Sequence, residues 1–165
     1  MLKLLYSLIY LSLLGILAFP FGRMLAGIKW NPDRFPFKEY SWEDGGRFYD
    51  RCFKIRKWKD KVPDVSKWVS GIVPKKTLKR PSAAELDVMI QETCVAELTH
   101  LILCPVSIPV IFIMNNIGGI ILFIIDVVLG NIPFAMIQRY NRFRYLKARR
   151  RFEGSNSKCQ YRDRS

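Results

Sequence analysis

A chain of 165 residues allows one compact unit and excludes a multi-domain enzyme. Half of its residues are apolar, a quarter are charged, and the formal net charge is +13, yet residues 81–138 hold no lysine or arginine and residues 4–19 hold no charge at all. Cations packed into 29–80 and 139–164 exclude an ordinary globular domain, whose charges cover its whole surface, and the 13% aromatic content excludes a disordered chain.

The first apolar run, 4–21, is long enough for the roughly 20 residues of a spanning helix. A cleaved signal sequence is the competing reading, since Lys3 precedes the run and Ala26 and Gly27 follow it. Its length and its single leading cation favour a span. The basic, aromatic stretch that follows carries Ser41-Trp42-Glu43-Asp44, which has the form of a capping box. It predicts a helix on which Trp42, Tyr49, Cys52, Phe53 and Arg56 share a face and which Pro63 ends. With cations opposite the aromatics, such a helix belongs in the membrane interface. Ser82-Ala83-Ala84-Glu85 is a second capping box, and it starts a helix that continues into the second apolar stretch, 98–114. Pro105 and Pro109 kink that stretch, and the turn 115–119 leads to the third, 120–137.

The predicted fold is therefore an all-α membrane protein of about three transmembrane helices, one proline-kinked, plus a basic amphipathic interfacial helix. Residues 1–28 form the N-terminal transmembrane helix and 29–81 the cytoplasmic or interfacial segment. Residues 82–152 form a helical hairpin with a basic helix end, and 153–165 a disordered tail. The excess of cations on cytoplasmic loops puts both basic blocks inside and the hairpin tip near Asn115 outside. The expected setting is multi-pass in the cell membrane, with the functional face cytoplasmic. Cys52, Cys94, Cys104 and Cys159 have no metal-type spacing, and free thiols are expected on that side.

The sole histidine, His100, sits where the second stretch begins, with Glu97 one helical turn before it. An imidazole is suited to take a proton from an alcohol near neutral pH, and a carboxylate beside it would fix its tautomer. A structural, headgroup-level histidine is the plain alternative. Glu-x-x-His is half of a di-iron site, but no second histidine exists to complete one, and no metal is expected. His100 and Cys104, four apart, could also pair as base and nucleophile. After the third stretch, Arg139, Asn141 and Arg142 offer donors for a phosphate or an oxyanion, or an anchor to anionic headgroups. Arg56, Lys57, Trp58, Lys59 and Asp60 form a third cluster, suited to the phosphates of a nucleotide-bearing acyl donor. Nucleic acid is not expected as a partner in an interfacial setting. Asp126 lies inside the third stretch and is either functional or a hydrogen-bonded helix contact.

Several of these phrases fall in a familiar order: 53–60, then Glu92-Thr93 with Ala96-Glu97-Leu98 and His100, then Asn131 with Pro133, then Gln138-Arg139-Tyr140-Asn141-Arg142. Over roughly residues 30–150 the chain resembles the bacterial glycosyl-4,4'-diaponeurosporenoate acyltransferase family, which acylates the sugar of a glycosylated carotenoid. Asp126 and Cys104 stand outside its phrases. The resemblance implies a membrane O-acyltransferase that moves a fatty acyl group from a thioester donor to a sugar hydroxyl of a membrane glycolipid. It implies His100, Glu97, Arg139, Asn141 and Arg142 as catalytic residues. Glu92, Gln138, Tyr140 and 56–60 would contact substrates. No cofactor is implied beyond an acyl-CoA or acyl-carrier thioester as co-substrate. The alternative is a non-catalytic membrane adaptor that uses its basic blocks to bind anionic lipid or an acidic partner.

Overall fold

The computed structural model of the protein describes the backbone of residues 1–62 and 81–162, with side chains up to Gly154. Among the described residues the chain is all-helical, without a strand. Helix α1 is Leu2–Ala26, α2 Arg47–Phe53, α3 Ile55–Trp58, α4 Ala83–Val106, α5 Pro109–Met114, α6 Ile117–Ile125 and α7 Ile132–Arg162. Three stretches, Leu2–Ala26, Ala83–Met114 and Ile117–Gly154, are long and apolar enough to cross a membrane, as the charge pattern predicts. Their side chains stay uncovered: Phe112 is 74% and Leu129 67% exposed, an arrangement suited to lipid rather than water.

The chain divides into two compact units, residues 1–30 with 95–138 and residues 31–94 with 139–165, to both of which α4 and α7 contribute. In the first unit α1 runs antiparallel to α4 and packs on α5. The Tyr10 hydroxyl of α1 reaches the Val106 carbonyl at 2.6 Å, and further along, Gly22 faces Thr99 and Val95. Pro105 and Pro109 do more than kink the second span. They end α4 at Val106 and restart the chain as α5, because two missing N–H donors four residues apart break the helical ladder. Ile108 donates to Pro105 O at 3.2 Å and Val110 to Ser107 O at 3.1 Å, a tighter turn that leaves the Val106 carbonyl for Tyr10. In lipid, a carbonyl released by proline must find such a partner on a neighbouring helix.

The hairpin tip falls at Asn115 and Asn116. Asn115 takes a left-handed conformation (φ 50°), and the Asn116 side chain caps α6 by accepting the Gly118 N–H at 2.9 Å. At Gly119 a Cβ would lie 2.9 Å from Met114 Cβ and 3.0 Å from the Ile111 backbone, so only glycine lets α6 turn back this closely on α5. The third span is interrupted by a π-helical turn, Asp126–Asn131.

In the second unit Phe37, Tyr49 and Ile55 pack with Leu86, Met89 and Ile90 of α4 and Tyr140 and Phe143 of α7 into a buried core. The second capping box forms as predicted: Ser82 N–H donates to Glu85 Oε2 at 2.6 Å and Glu85 N–H to Ser82 Oγ at 3.3 Å. The first does not. Helix α2 starts later, at Arg47, after glycines at positive φ, and Glu43 has gone into the core instead. The predicted interfacial helix also comes in two pieces, because Lys54 turns left-handed (φ 49°) between α2 and α3. Trp42, Cys52 and Phe53 accordingly stay exposed while Tyr49 is buried, so they share no face. Pro63, expected to end this segment, lies outside the described residues. Past Glu153, where a disordered tail is predicted, α7 continues to Arg162.

Candidate functional site

The polar chemistry gathers in two places, one in each unit. In the first unit, the short loop between α5 and α6 folds α4 and the third span into a hairpin. Positions equally far from the Asn115–Asn116 tip therefore come level, and His100 and Asn131 are such a pair. His100 Nδ1 lies 3.2 Å from Asn131 Oδ1. The Asn131 Nδ2 in turn donates to the Asp126 carboxylate at 3.0 Å and to its backbone carbonyl at 3.3 Å. The imidazole stacks on Phe134, with centroids 5.1 Å apart and planes 21° from parallel. His100 is half-buried and Asn131 buried.

This corrects two expectations for His100. Its ring is oriented by Asn131 and not by Glu97, which is buried and engaged elsewhere on its own account. Spacing of one turn permits an ion pair but does not enforce it, and an amide 31 residues away wins the contact. Nor is Cys104 the partner of a catalytic pair: its thiol donates to the His100 backbone carbonyl at 3.3 Å, the ordinary role of a small polar residue one turn on. Asp126, outside the family phrases, is drawn in through Asn131. Among the described residues no three metal-ligating side chains cluster.

The second centre is a guanidinium cradle. Arg139 grips Glu43 with a two-pronged ion pair, Nε to Oε1 and Nη2 to Oε2, the latter at 2.9 Å. It also donates to Pro36 O at 2.9 Å and Lys38 O at 2.8 Å. Four of its five N–H donors thus hold the chain that precedes α2. The Tyr49 hydroxyl donates to Glu43 Oε1 at 2.5 Å and the Tyr40 N–H to Oε2 at 2.8 Å. Burial alone would raise the Glu43 pKa. The hydrogen bonds from Arg139, Tyr49 and Tyr40 outweigh it and hold the carboxyl below its ordinary value. Tyr40 and Phe143 sandwich the guanidinium, with ring centroids at 5.2 and 5.9 Å. Arg142, fully buried, lies over Phe37 at 5.3 Å and donates to its carbonyl at 3.2 Å.

Expected as an oxyanion donor, Arg139 is instead committed to Glu43 and two loop carbonyls. Asn141 is half-buried on α7, and Gln138 and Glu92 are half-buried and partnered. Tyr140 is buried and carries Arg144 on its face, while Arg56 pairs with Asp50 at 2.7 Å. Lys57 is exposed, Lys59 pairs with Asp60 at 2.9 Å, and the Trp58 indole donates to Phe53 O at 2.9 Å. Sequence reasoning passed over Glu43 and Tyr49 as site residues. The signal available was an acid inside an aromatic run, and it was absorbed into the capping-box reading.

The fold and its first polar centre define a class: a small all-helical protein whose histidine sits in an apolar, membrane-length stretch and is held by an amide. The chain belongs to the glycosyl-4,4'-diaponeurosporenoate acyltransferase family, whose sequence pattern matches residues 33–151. Proteins of that name from Staphylococcus aureus are similar to it: the one from strain MRSA252 is 34% identical and the one from strain N315 33% identical, each over 108 residues and 64% of this chain. The matched region spans 63% of the length of these relatives. No solved structure matches the chain.

Proposed function

We propose that the protein is a membrane O-acyltransferase that moves a fatty acyl group from a thioester donor to a sugar hydroxyl of a membrane glycolipid, such as a glycosylated carotenoid. The observation that carries this reading is the His100 imidazole, hydrogen-bonded through one nitrogen to Asn131 inside an apolar stretch, in a chain of an acyltransferase family. A neutral imidazole there accepts the proton of the sugar hydroxyl as its oxygen attacks the thioester carbonyl. The tetrahedral oxyanion collapses, the C–S bond breaks, and the imidazolium returns the proton to the leaving thiolate. An ester and a free thiol are the products. Exposed Lys57, with Arg56 and Lys59, would meet the phosphates of the donor at the cytoplasmic surface. Both basic blocks lie on that side by the distribution of cations.

The test is lipid mass spectrometry of cells that make the acceptor glycolipid, with and without the protein. Acyl transfer predicts a glycolipid heavier by one fatty acyl ester only when the protein is present, and its loss in His100→Ala protein that still inserts into membranes. An adaptor predicts no new ester in either case.

A further inference from the structure

We propose that Asn131 and Asp126 are positioning residues that hold the His100 imidazole in the tautomer able to act as a base, and that the π-helical turn between them makes this possible. The consequence for catalysis rests on the acyl-transfer reading above; the tautomer itself does not.

Residues five apart point about 140° away from each other on an α-helix, so Asp126 and Asn131 could not touch there. A π turn, with its hydrogen bonds spanning five residues, stacks positions i and i+5. The turn Asp126–Asn131 does so, and the Ile132 N–H bonds back to Val127 O, five residues earlier. Pro133 supplies a reason for the turn: with no N–H, and with a ring that collides with the carbonyl four residues back, it keeps an α-helix from running evenly through this stretch.

The stacked pair then decides how the Asn131 amide lies. Its Nδ2 faces the Asp126 backbone carbonyl at 3.3 Å and carboxylate at 3.0 Å. A peptide carbonyl only accepts, so the NH2 group must point toward it; the reversed amide would set oxygen against oxygen. That fixes Oδ1 toward His100. Facing an acceptor at 3.2 Å, Nδ1 must carry the ring proton. Nε2 is then left with its lone pair, the form a general base needs. Phe134, stacked on the ring, holds its plane. An asparagine suits this place better than a carboxylate, because it fixes the proton without placing a second charge in the apolar stretch.

His100 is the only histidine in the chain, so nitrogen NMR of histidine-labelled protein in lipid nanodiscs at pH 8 reads this one ring. The expected wild-type spectrum has a protonated Nδ1 and an unprotonated Nε2; a proton mainly on Nε2 overturns the proposal. Asn131→Leu should move the proton to Nε2, and an unchanged spectrum would remove Asn131 from the role. Asp126→Asn keeps an acceptor for the amide and should keep the wild-type tautomer, whereas Asp126→Leu should lose part of it. If Asn131→Leu does not fold, the wild-type and Asp126 spectra decide. In acyl transfer, Asn131→Leu should lower kcat by about 100-fold or more with KM little changed. Wild-type protein that shows the expected tautomer but transfers no acyl group would sink the acyltransferase reading alone.

Discussion

Removing the Arg139 guanidinium should unfold the second unit long before it disturbs the first. In Arg139→Leu, Glu43 remains wholly buried while losing both prongs of its ion pair, and the Pro36 and Lys38 carbonyls lose their donors. An ion stranded by loss of its buried partner costs about 3–5 kcal/mol. For a unit of about 90 residues each kcal/mol moves Tm by about 4–8 °C, so the transition should fall by roughly 12–40 °C. Glu43→Leu/Arg139→Leu removes the stranded charge and should recover about half of that loss, because what remains is mainly the two half-buried carbonyls. Arg139→Lys should fall between, since a single ammonium cannot span both carboxylate oxygens and reach two carbonyls. Trp42 lies 6.1 Å from Tyr49, so thermal unfolding followed by tryptophan fluorescence in detergent reports on this core. Strict additivity in the double mutant, or an unmoved transition in Arg139→Leu, would refute the coupling.

The same pair sets a pH dependence. Because the folded pKa of Glu43 lies below its unfolded value, its contribution is complete above about pH 4.3 and is lost as the pH falls through the folded pKa. Thermal unfolding between pH 6 and 3 should therefore weaken more steeply for wild type than for Glu43→Gln below that point; parallel curves would contradict it. At the start of α2, Gly46 has φ 88° and its Cβ would sit 3.1 Å from the Phe143 ring, whereas Gly45 has φ 62° and nothing near. Gly46→Ala should cost about 2–3 kcal/mol and Gly45→Ala about 1 kcal/mol by chemical denaturation, and equal costs would show that packing on α7 adds nothing.

The spans were legible in the sequence because lipid imposes a local rule: charge is absent over a fixed length, and 4–19 and 98–125 obey it without reference to any other part of the chain. The hairpin tip at Asn115–Asn116 and the cap Ser82–Glu85 are likewise local, set by residues within a few positions of one another. The site was less legible because its contacts are distant. Arg139 and Glu43 are 96 residues apart and His100 and Asn131 31 apart, and no periodicity announces such pairs. Glu43 was passed over because it lies inside Ser41–Asp44, a capping-box pattern that spacing alone satisfies. The pairing of Asp126 with Asn131 was hidden for another reason: it needs a π turn, and five-residue spacing means opposite faces under the usual helical period. The left-handed Lys54 has no sequence signal, since residues other than glycine and asparagine seldom adopt that conformation.

The proposed acyl transfer requires a single imidazole, that of His100, to act as a base within the apolar part of the chain. Purified protein in nanodiscs, given a radiolabelled acyl thioester and a membrane glycolipid, tests this directly. Wild-type protein should form labelled ester and release one thiol for each ester, and His100→Ala, folded to the same Tm, should be slower by about 100-fold or more. Equal rates for the two proteins would contradict the account.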